Sequence, residues 1–213
     1  EESSRVLAVR GQVIPSTLAQ VTLCADVLAR TPVSDRGSSE ERLVQVRGES
    51  TIGQTGGQIR RVYLEPEDVP AYPHAIRAIL DADLIVAGPG SLYTSVLPNL
   101  LVSDLTKAIE SARATKVYVC NVATQASETV GYDVTSHVQA LRSHVGPNLF
   151  HVVLANGTFS GDKPPGDDVD WTHLPDPKSV DYTLVTRDLV DSQHPWRHDP
   201  AKLALALMEF VNK

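Results

Sequence analysis

The chain has 213 residues, of which 42% are hydrophobic and 21% are charged, and its formal net charge is -7. This length can bury one sizeable core and fits a single large domain. The acidic balance argues against an extended nucleic-acid surface, which needs clustered lysine and arginine. No uninterrupted apolar run approaches the length of a membrane span. The composition therefore predicts a globular protein whose partners include neither nucleic acid nor membrane.

The cysteines and the N-terminus indicate the compartment. Cys24 and Cys120 stand far apart in apolar, strand-like segments, which favours buried thiols in a reducing compartment over a disulfide. The first four residues, EESS, are polar and acidic where a secretory signal would be basic and then apolar. Both features predict a cytoplasmic protein.

The first part of the chain has the character of β-structure. Residues 17–28 alternate between apolar and small polar side chains, which is typical of a strand. Residues 31–42 are polar, contain Pro and Gly, and predict an exposed loop. Strands predicted over 43–46 and 59–64 flank the glycine-rich segment 48–57, which we interpret as a hairpin-like excursion at a sheet edge.

The middle of the chain alternates between helix and strand. Residues 73–80 place apolar side chains on one helical face and lead into the continuous apolar run 84–87, which is typical of a buried parallel strand. A second helix is predicted over 102–112 and a second buried strand over 116–120. This spacing has the proportions of a right-handed βαβ unit.

The remaining third continues the alternation. The pattern predicts a helix over 133–145, strands over 150–155 and 182–186, and a terminal helix that begins near Pro200. An acidic, proline-rich loop separates these two strands. The predicted fold class is α/β, with a mainly parallel, doubly wound, Rossmann-like sheet and a glycine-rich edge hairpin.

The first candidate site is the turn that follows the strand predicted over 84–87. Glycines there allow a tight turn, the hydroxyls can cap the next helix, and backbone N–H groups at a helix N-terminus attract phosphate or carboxylate. The candidate ligand-binding residues of this turn are Gly88, Pro89, Gly90, Ser91, Leu92, Tyr93 and Thr94. The spacing matches neither a dinucleotide fingerprint nor a P-loop, and an ordinary strand-to-helix turn is the alternative.

The second candidate site follows the next predicted strand. Because neighbouring parallel strands end at the same edge of a sheet, Asn121, Thr124 and Gln125 should lie beside the first turn. Their amide and hydroxyl groups suit recognition of a sugar or a base, and no acid-base pair accompanies them. The alternative is a loop that only caps the following helix. Histidine spacing along the chain indicates no metal site, and no catalytic residue is assigned.

Two stretches resemble a known family. The segments DADLIVAGPGSLYTSVLPNLLV and YVCNVATQASETVGYDVTSHVQAL are similar to those of the YvcK, or gluconeogenesis factor, family, which is related to the 2-phospho-L-lactate transferases. The resemblance implies a protein that binds uridine diphosphate (UDP) sugars, has no tightly bound cofactor, and influences carbon metabolism and cell-wall growth. It also implies that Arg197, in an Arg-His-Asp sequence before the terminal helix, contacts the diphosphate. A salt bridge to Asp199 or to a partner of the terminal helix is the alternative.

The resemblance covers nearly the whole chain but only the C-terminal part of the family. Members begin with a glycine-rich GGGTG turn and a DDGGSSG loop, which this sequence does not contain. We therefore expect residues 1–213 to form one α/β domain of a longer protein and to bind a nucleotide sugar weakly when isolated. Three hypotheses stay open: a nucleotide-sugar-binding regulator, a transferase like the phospholactate enzymes, and a domain that only scaffolds or forms a homo-oligomer.

Overall fold

The computed structural model describes residues 11–32, 39–159, 164, 166 and 168–211, which form two β-sheets and their helices. The antiparallel sheet contains β1 (Thr22–Pro32), β2 (Ser39–Arg47) and β3 (Gly57–Glu65), and the short helix α1 (Glu49–Ile52) precedes β3. The parallel sheet contains β4 (Leu84–Ala87), β5 (Thr115–Val119), β6 (Val152–Asn156) and β7 (Thr183–Arg187). The other helices are α2 (Pro73–Leu80), α3 (Leu97–Leu100), α4 (Ser103–Ser111), α5 (Val134–Val145) and α6 (Pro200–Met208).

The parallel sheet has the strand order β4-β5-β6-β7, so each strand pairs with the next one along the chain. Side chains alternate between its two faces. On one face, Val117 and Leu154 belong to an apolar cluster with Leu203 of α6. On the other face, Tyr118 and Val153 join the larger cluster that includes α2, α3, α4, α5 and the antiparallel sheet. Helices cover both faces, which confirms the Rossmann-like α/β fold.

The glycine-rich segment 48–57 does not form a hairpin at a sheet edge, because its flanking strands β2 and β3 do not pair with each other, and that prediction is wrong. β1 lies between β2 and β3, so the connection from β2 to β3 passes from one side of β1 to the other and includes α1. All three strands belong to a separate antiparallel sheet. The local pattern revealed the strands, but strand partners are set by contacts that are distant in sequence.

β1 and β2 extend into the predicted polar loop over 31–42. Antiparallel pairing joins Leu28 to Leu43 and continues to Pro32 and Ser39. Residues 33–38 lie outside the described part of the chain. The pairing with β1 satisfies the backbone hydrogen bonds of a segment whose polar sequence alone favours a loop.

Side-chain caps fix where the two helices of the C-terminal half begin. The carboxylate of Asp133 accepts a hydrogen bond of 2.7 Å from the backbone N–H of Ser136 at the start of α5. Asp199 accepts two such bonds, of 2.8 and 2.9 Å, at the start of α6, where Pro200 is the first helical residue. Each cap contributes about 1 kcal/mol to stability. Both helices therefore begin within a residue of the predicted position.

Both cysteines lie in the interior of the protein. Cys24 and Cys120 are buried free thiols. Burial raises the pKa of the Cys120 thiol, which keeps it protonated. Among the helices of the described residues, none combines the length and apolar character needed to span a bilayer.

Candidate ligand-binding site

The first and second candidate loops meet at one edge of the parallel sheet. β4 and β5 are paired in parallel, with Ala87 opposite Tyr118, and both loops leave the carboxyl ends of these strands. Gly88 adopts a φ of +87°, and a Cβ atom on it would lie 2.8 Å from the backbone oxygen of Val119. Only glycine permits this close approach between the first turn and the end of β5.

The two loops and the segment before α6 enclose a cavity of about 620 Å³. Most of the predicted binding residues line it, namely Pro89, Gly90, Ser91, Asn121, Thr124, Gln125 and Arg197. Sequence reasoning missed Ser95, Trp196 and His198, which also line it. Ser95 follows Ser91 by one helical turn, and Trp196 and His198 flank Arg197. These spacings could have indicated that the three residues lie near the predicted site.

Four of the predicted residues do not line this cavity. The side chains of Leu92 and Tyr93 are buried in the core, with 0% and 2% exposure. Gly88 and Thr94 border other cavities. The difference arises because the segment Leu92–Val96 is π-helical, and its apolar residues turn inward.

A chain of hydrogen bonds links the two loops at the cavity wall. The backbone N–H of Gly90 donates to Oδ1 of Asn121 at 3.4 Å. The amide of Asn121 donates to Oε1 of Gln125 at 3.4 Å, and the amide of Gln125 donates to the hydroxyl of Ser91 at 2.8 Å. The chain orients these polar groups along one wall of the cavity. Thr124 instead binds the backbone of Asp170. Its backbone N–H donates to the carbonyl of Asp170 at 2.8 Å, and its hydroxyl accepts from the N–H of Asp170 at 2.9 Å.

Glu128 already binds one of the backbone N–H groups of the first turn that were predicted to attract an anion. Its side chain is 8% exposed, and its carboxylate accepts hydrogen bonds from the backbone N–H of Tyr93 at 2.9 Å and from the hydroxyl of Thr94 at 2.5 Å. Neither Ser91 nor Thr94 caps the helix through its own hydroxyl, since the N-cap at Ser91 makes no side-chain bond. A carboxylate from the second loop therefore neutralises this helix N-terminus.

We predict that Glu128→Ala lowers the free energy of unfolding by about 1–3 kcal/mol, because the buried backbone N–H of Tyr93 loses the carboxylate that accepts from it. Glu128→Gln keeps an acceptor oxygen and should cost less than Glu128→Ala. Urea unfolding measures both, and Glu110→Ala, at an exposed position of α4, is the control. Equal stabilities for Glu128→Ala and Glu110→Ala would show that the carboxylate does not hold the turn.

Arg197 extends from the third segment that borders the cavity. Its side chain is exposed, and among the described residues no carboxylate forms an ion pair with it. The alternative partner, Asp199, instead caps α6. The guanidinium is therefore available to a ligand. His198, next to it, is largely buried, and burial lowers its pKa to about 4, so its imidazole is neutral at physiological pH.

Within the described part of the chain, no three His, Cys, Asp or Glu side chains lie close enough to hold a metal ion. The two histidines of α5 instead take part in packing and hydrogen bonding inside the protein. His137 is fully buried beside Tyr132, and Nε2 of His144 accepts the backbone N–H of Val62 at 3.0 Å.

The parallel sheet, with helices on both faces and a polar cavity at the carboxyl ends of adjacent strands, defines a Rossmann-like α/β protein. The family model described as 2-phospho-L-lactate transferase CofD matches residues 1–212, so the chain belongs to this family. A solved structure of a UPF0052 family protein from Bacillus halodurans has the same fold, with a TM-score of 0.82 and 34% identity. That comparison covers 97% of this chain and 65% of the solved one.

Curated relatives carry the name gluconeogenesis factor. The chain is 38% identical over 219 residues to a putative gluconeogenesis factor from Thermoanaerobacterium thermosulfurigenes, covering 98% of this chain and 64% of the relative. It is 44% identical over 155 residues to the gluconeogenesis factor of Bacillus subtilis, covering 73% of this chain and 45% of the relative. The chain thus spans less than two thirds of the length of these relatives. The predicted resemblance is confirmed.

Proposed function

We propose that the cavity binds a nucleotide sugar of the UDP-sugar class and that the protein acts as a regulator of carbon metabolism and cell-wall growth. One observation carries the proposal. The described residues that line the cavity include the unpaired guanidinium of Arg197 and several neutral hydrogen-bonding groups, with no Asp or Glu to oppose an anion. This combination suits a diphosphate joined to groups rich in hydroxyls.

The polar wall suits recognition of the ligand. Ser91, Asn121 and Gln125 present hydroxyl and amide groups that are already oriented by the hydrogen bonds between them. Neutral His198 adds an imidazole to the same cavity. Pre-ordered polar groups of this kind reduce the entropy lost on binding. Such groups would form hydrogen bonds with the hydroxyls and the base of a ligand without cleaving a bond.

A transferase activity is the second candidate, and the family match favours it. Such an enzyme would join a phosphorylated acid, delivered as its nucleotide diphosphate derivative, to an alcohol. A product assay that follows release of the nucleotide separates the candidates. Turnover would support the transferase, whereas saturable binding of UDP-glucose without turnover would support the regulator.

We predict that Arg197→Ala weakens binding of UDP-glucose by roughly tenfold to a hundredfold, because loss of a charge-assisted contact costs about 1.5–3 kcal/mol. Lysine at this position should restore part of the affinity, since it keeps the charge but loses the planar fork. The melting temperature of the free protein should barely change, because the side chain is exposed and unpaired. Calorimetric titration and thermal unfolding measure the two effects.

Arg77→Ala is the matched control, since Arg77 is an exposed arginine of α2 that does not line the cavity. Its substitution should change neither affinity nor melting temperature. A large fall in melting temperature for Arg197→Ala with unchanged affinity would make Arg197 a structural residue. That outcome would remove the main support for the proposed site.

A further inference from the structure

A second groove lies along the free edge of β3, on the side that faces α5. β3 is an edge strand in the order β2-β1-β3. Two adjoining cavities of about 370 and 460 Å³ follow this edge, and both are lined by Arg60 and Ser143. These volumes suit a small metabolite. None of the residues that line the smaller cavity lines the cleft of the proposed nucleotide-sugar site.

Arg60 enters this groove from a β-bulge. The pairing of β1 with β3 joins Asp26 to Arg61 and Val27 to Ile59, so Arg60 is the extra residue. A bulge re-aims the side chain that it carries. Arg61 forms an ion pair with Glu67 at 3.3 Å, but no carboxylate of the described residues pairs with Arg60. A free guanidinium therefore lies in the groove of an acidic protein.

Two phenol groups add hydrogen-bond donors beside it. The hydroxyl oxygens of Tyr93 and Tyr132 are 2.8 Å apart, and both residues line the smaller cavity. The hydroxyl of one tyrosine donates its proton to the hydroxyl oxygen of the other. The accepting hydroxyl still has its own proton, for which the described residues offer no acceptor. Burial raises the pKa of Tyr93, so its hydroxyl keeps its proton at physiological pH. The exposed amide of Gln139 lies in the same cavity.

The smaller cavity contains no Asp or Glu among the described residues that line it. Its polar groups therefore offer one fixed positive charge and several donors, which is the set that an oxyanion requires. A phosphate monoester has three terminal oxygens that accept from different directions, whereas a carboxylate has two. The spread of donors across both sides of the groove favours phosphate.

We propose that this groove binds the phosphate of a small phosphorylated metabolite, with Arg60 as the ion-pair partner and the Tyr93–Tyr132 pair as hydrogen-bond donors. The site is separate from the cleft that contains Arg197. Tyr132 is only partly buried, and a ligand here would act on the buried Tyr93 through the hydrogen bond between the two hydroxyls; the backbone N–H of Tyr93 in turn binds Glu128. The groove ligand and the first turn thus share a residue.

The test titrates inorganic phosphate into protein that carries Arg197→Ala, so that the cleft contributes little. Binding is followed by calorimetry and by the rise in melting temperature. We expect saturable binding in this background. Adding either Arg60→Gln or Tyr132→Phe should weaken it about tenfold or more, because each change removes a hydrogen-bond donor to a charged group.

Two controls make the result decisive. Arg77→Gln, added to the same background, should leave phosphate binding unchanged. Acetate should bind more weakly than phosphate. Absence of phosphate binding in the Arg197→Ala background, equal affinity after Arg60→Gln, or tighter binding of acetate would each overturn the assignment. None of these outcomes depends on whether the cleft binds a nucleotide sugar.

Discussion

Acidification from about pH 7 to about pH 4 should destabilise the folded protein by several kcal/mol, because three histidines are held neutral in the fold. Burial lowers the pKa of His137 and of His144, and it lowers the pKa of His198 to about 4. The geometry of His144 supports this state. Its Nε2 accepts a backbone N–H, which can only donate, and its Nδ1 lies 2.7 Å from the carbonyl of Ala140.

Acid lowers the stability because the unfolded state binds more protons than the folded state at these histidines. Above the ordinary histidine pKa of about 6.5, both states are neutral at these positions and stability does not depend on pH. Below that value the unfolded chain takes up protons that the folded chain refuses, so stability falls until the folded pKa is reached. For His198 alone, the lowering to about 4 corresponds to roughly 3 kcal/mol at 1.36 kcal/mol per pH unit.

Urea unfolding at a series of pH values measures the effect. His198→Gln should reduce the slope between about pH 6 and pH 4.5 by close to one proton, or about 1.4 kcal/mol per pH unit. His151→Gln is the control, because this histidine is exposed. The pKa of Asp181 is lowered by a hydrogen bond from Arg142. Carboxylates of this kind change the stability only at lower pH than these histidines do. A stability that is constant down to pH 4 would contradict the neutral state of these histidines.

Local signals were sufficient where an element is bounded by strong start and stop residues. The helix predicted over 73–80 coincides with α2, since a proline begins it and an apolar face runs through it. The strand predicted over 84–87 coincides with β4, because a continuous apolar run ends at glycine. The shared edge of the two candidate loops also followed from the sequence, since parallel strands end on the same side.

Non-local contacts explain what the sequence did not reveal. The extension of β1 and β2 depends on their mutual pairing, not on their polar composition. Glu128 looks like a solvated residue of a polar loop, and only the approach of the two loops buries it against Tyr93 and Thr94. The inward turn of Leu92 likewise depends on packing, because a π-helical segment changes which side chains face the core.

We expect the substitution Gly88→Ala to be the most damaging single change near the cleft, with a loss of more than about 3 kcal/mol in the free energy of unfolding. Two costs add. A left-handed backbone at an alanine costs about 1–2 kcal/mol. The new Cβ would also lie 2.8 Å from the backbone oxygen of Val119, and backbone cannot move aside as a flexible side chain could. Relief of this contact must push the first turn away from the end of β5.

Gly131→Ala separates the two costs, because Gly131 also has a positive φ, of +74°, but a Cβ there would meet no atom within 4 Å. Its loss should be limited to about 1–2 kcal/mol. The difference between the two variants in urea unfolding therefore measures the contact with Val119. In the folded fraction of Gly88→Ala, displacement of the turn should also separate Gly90 from Asn121 and weaken UDP-glucose binding. Equal losses for the two glycines would show that the first turn is not held against β5, and the cavity wall would then need another support.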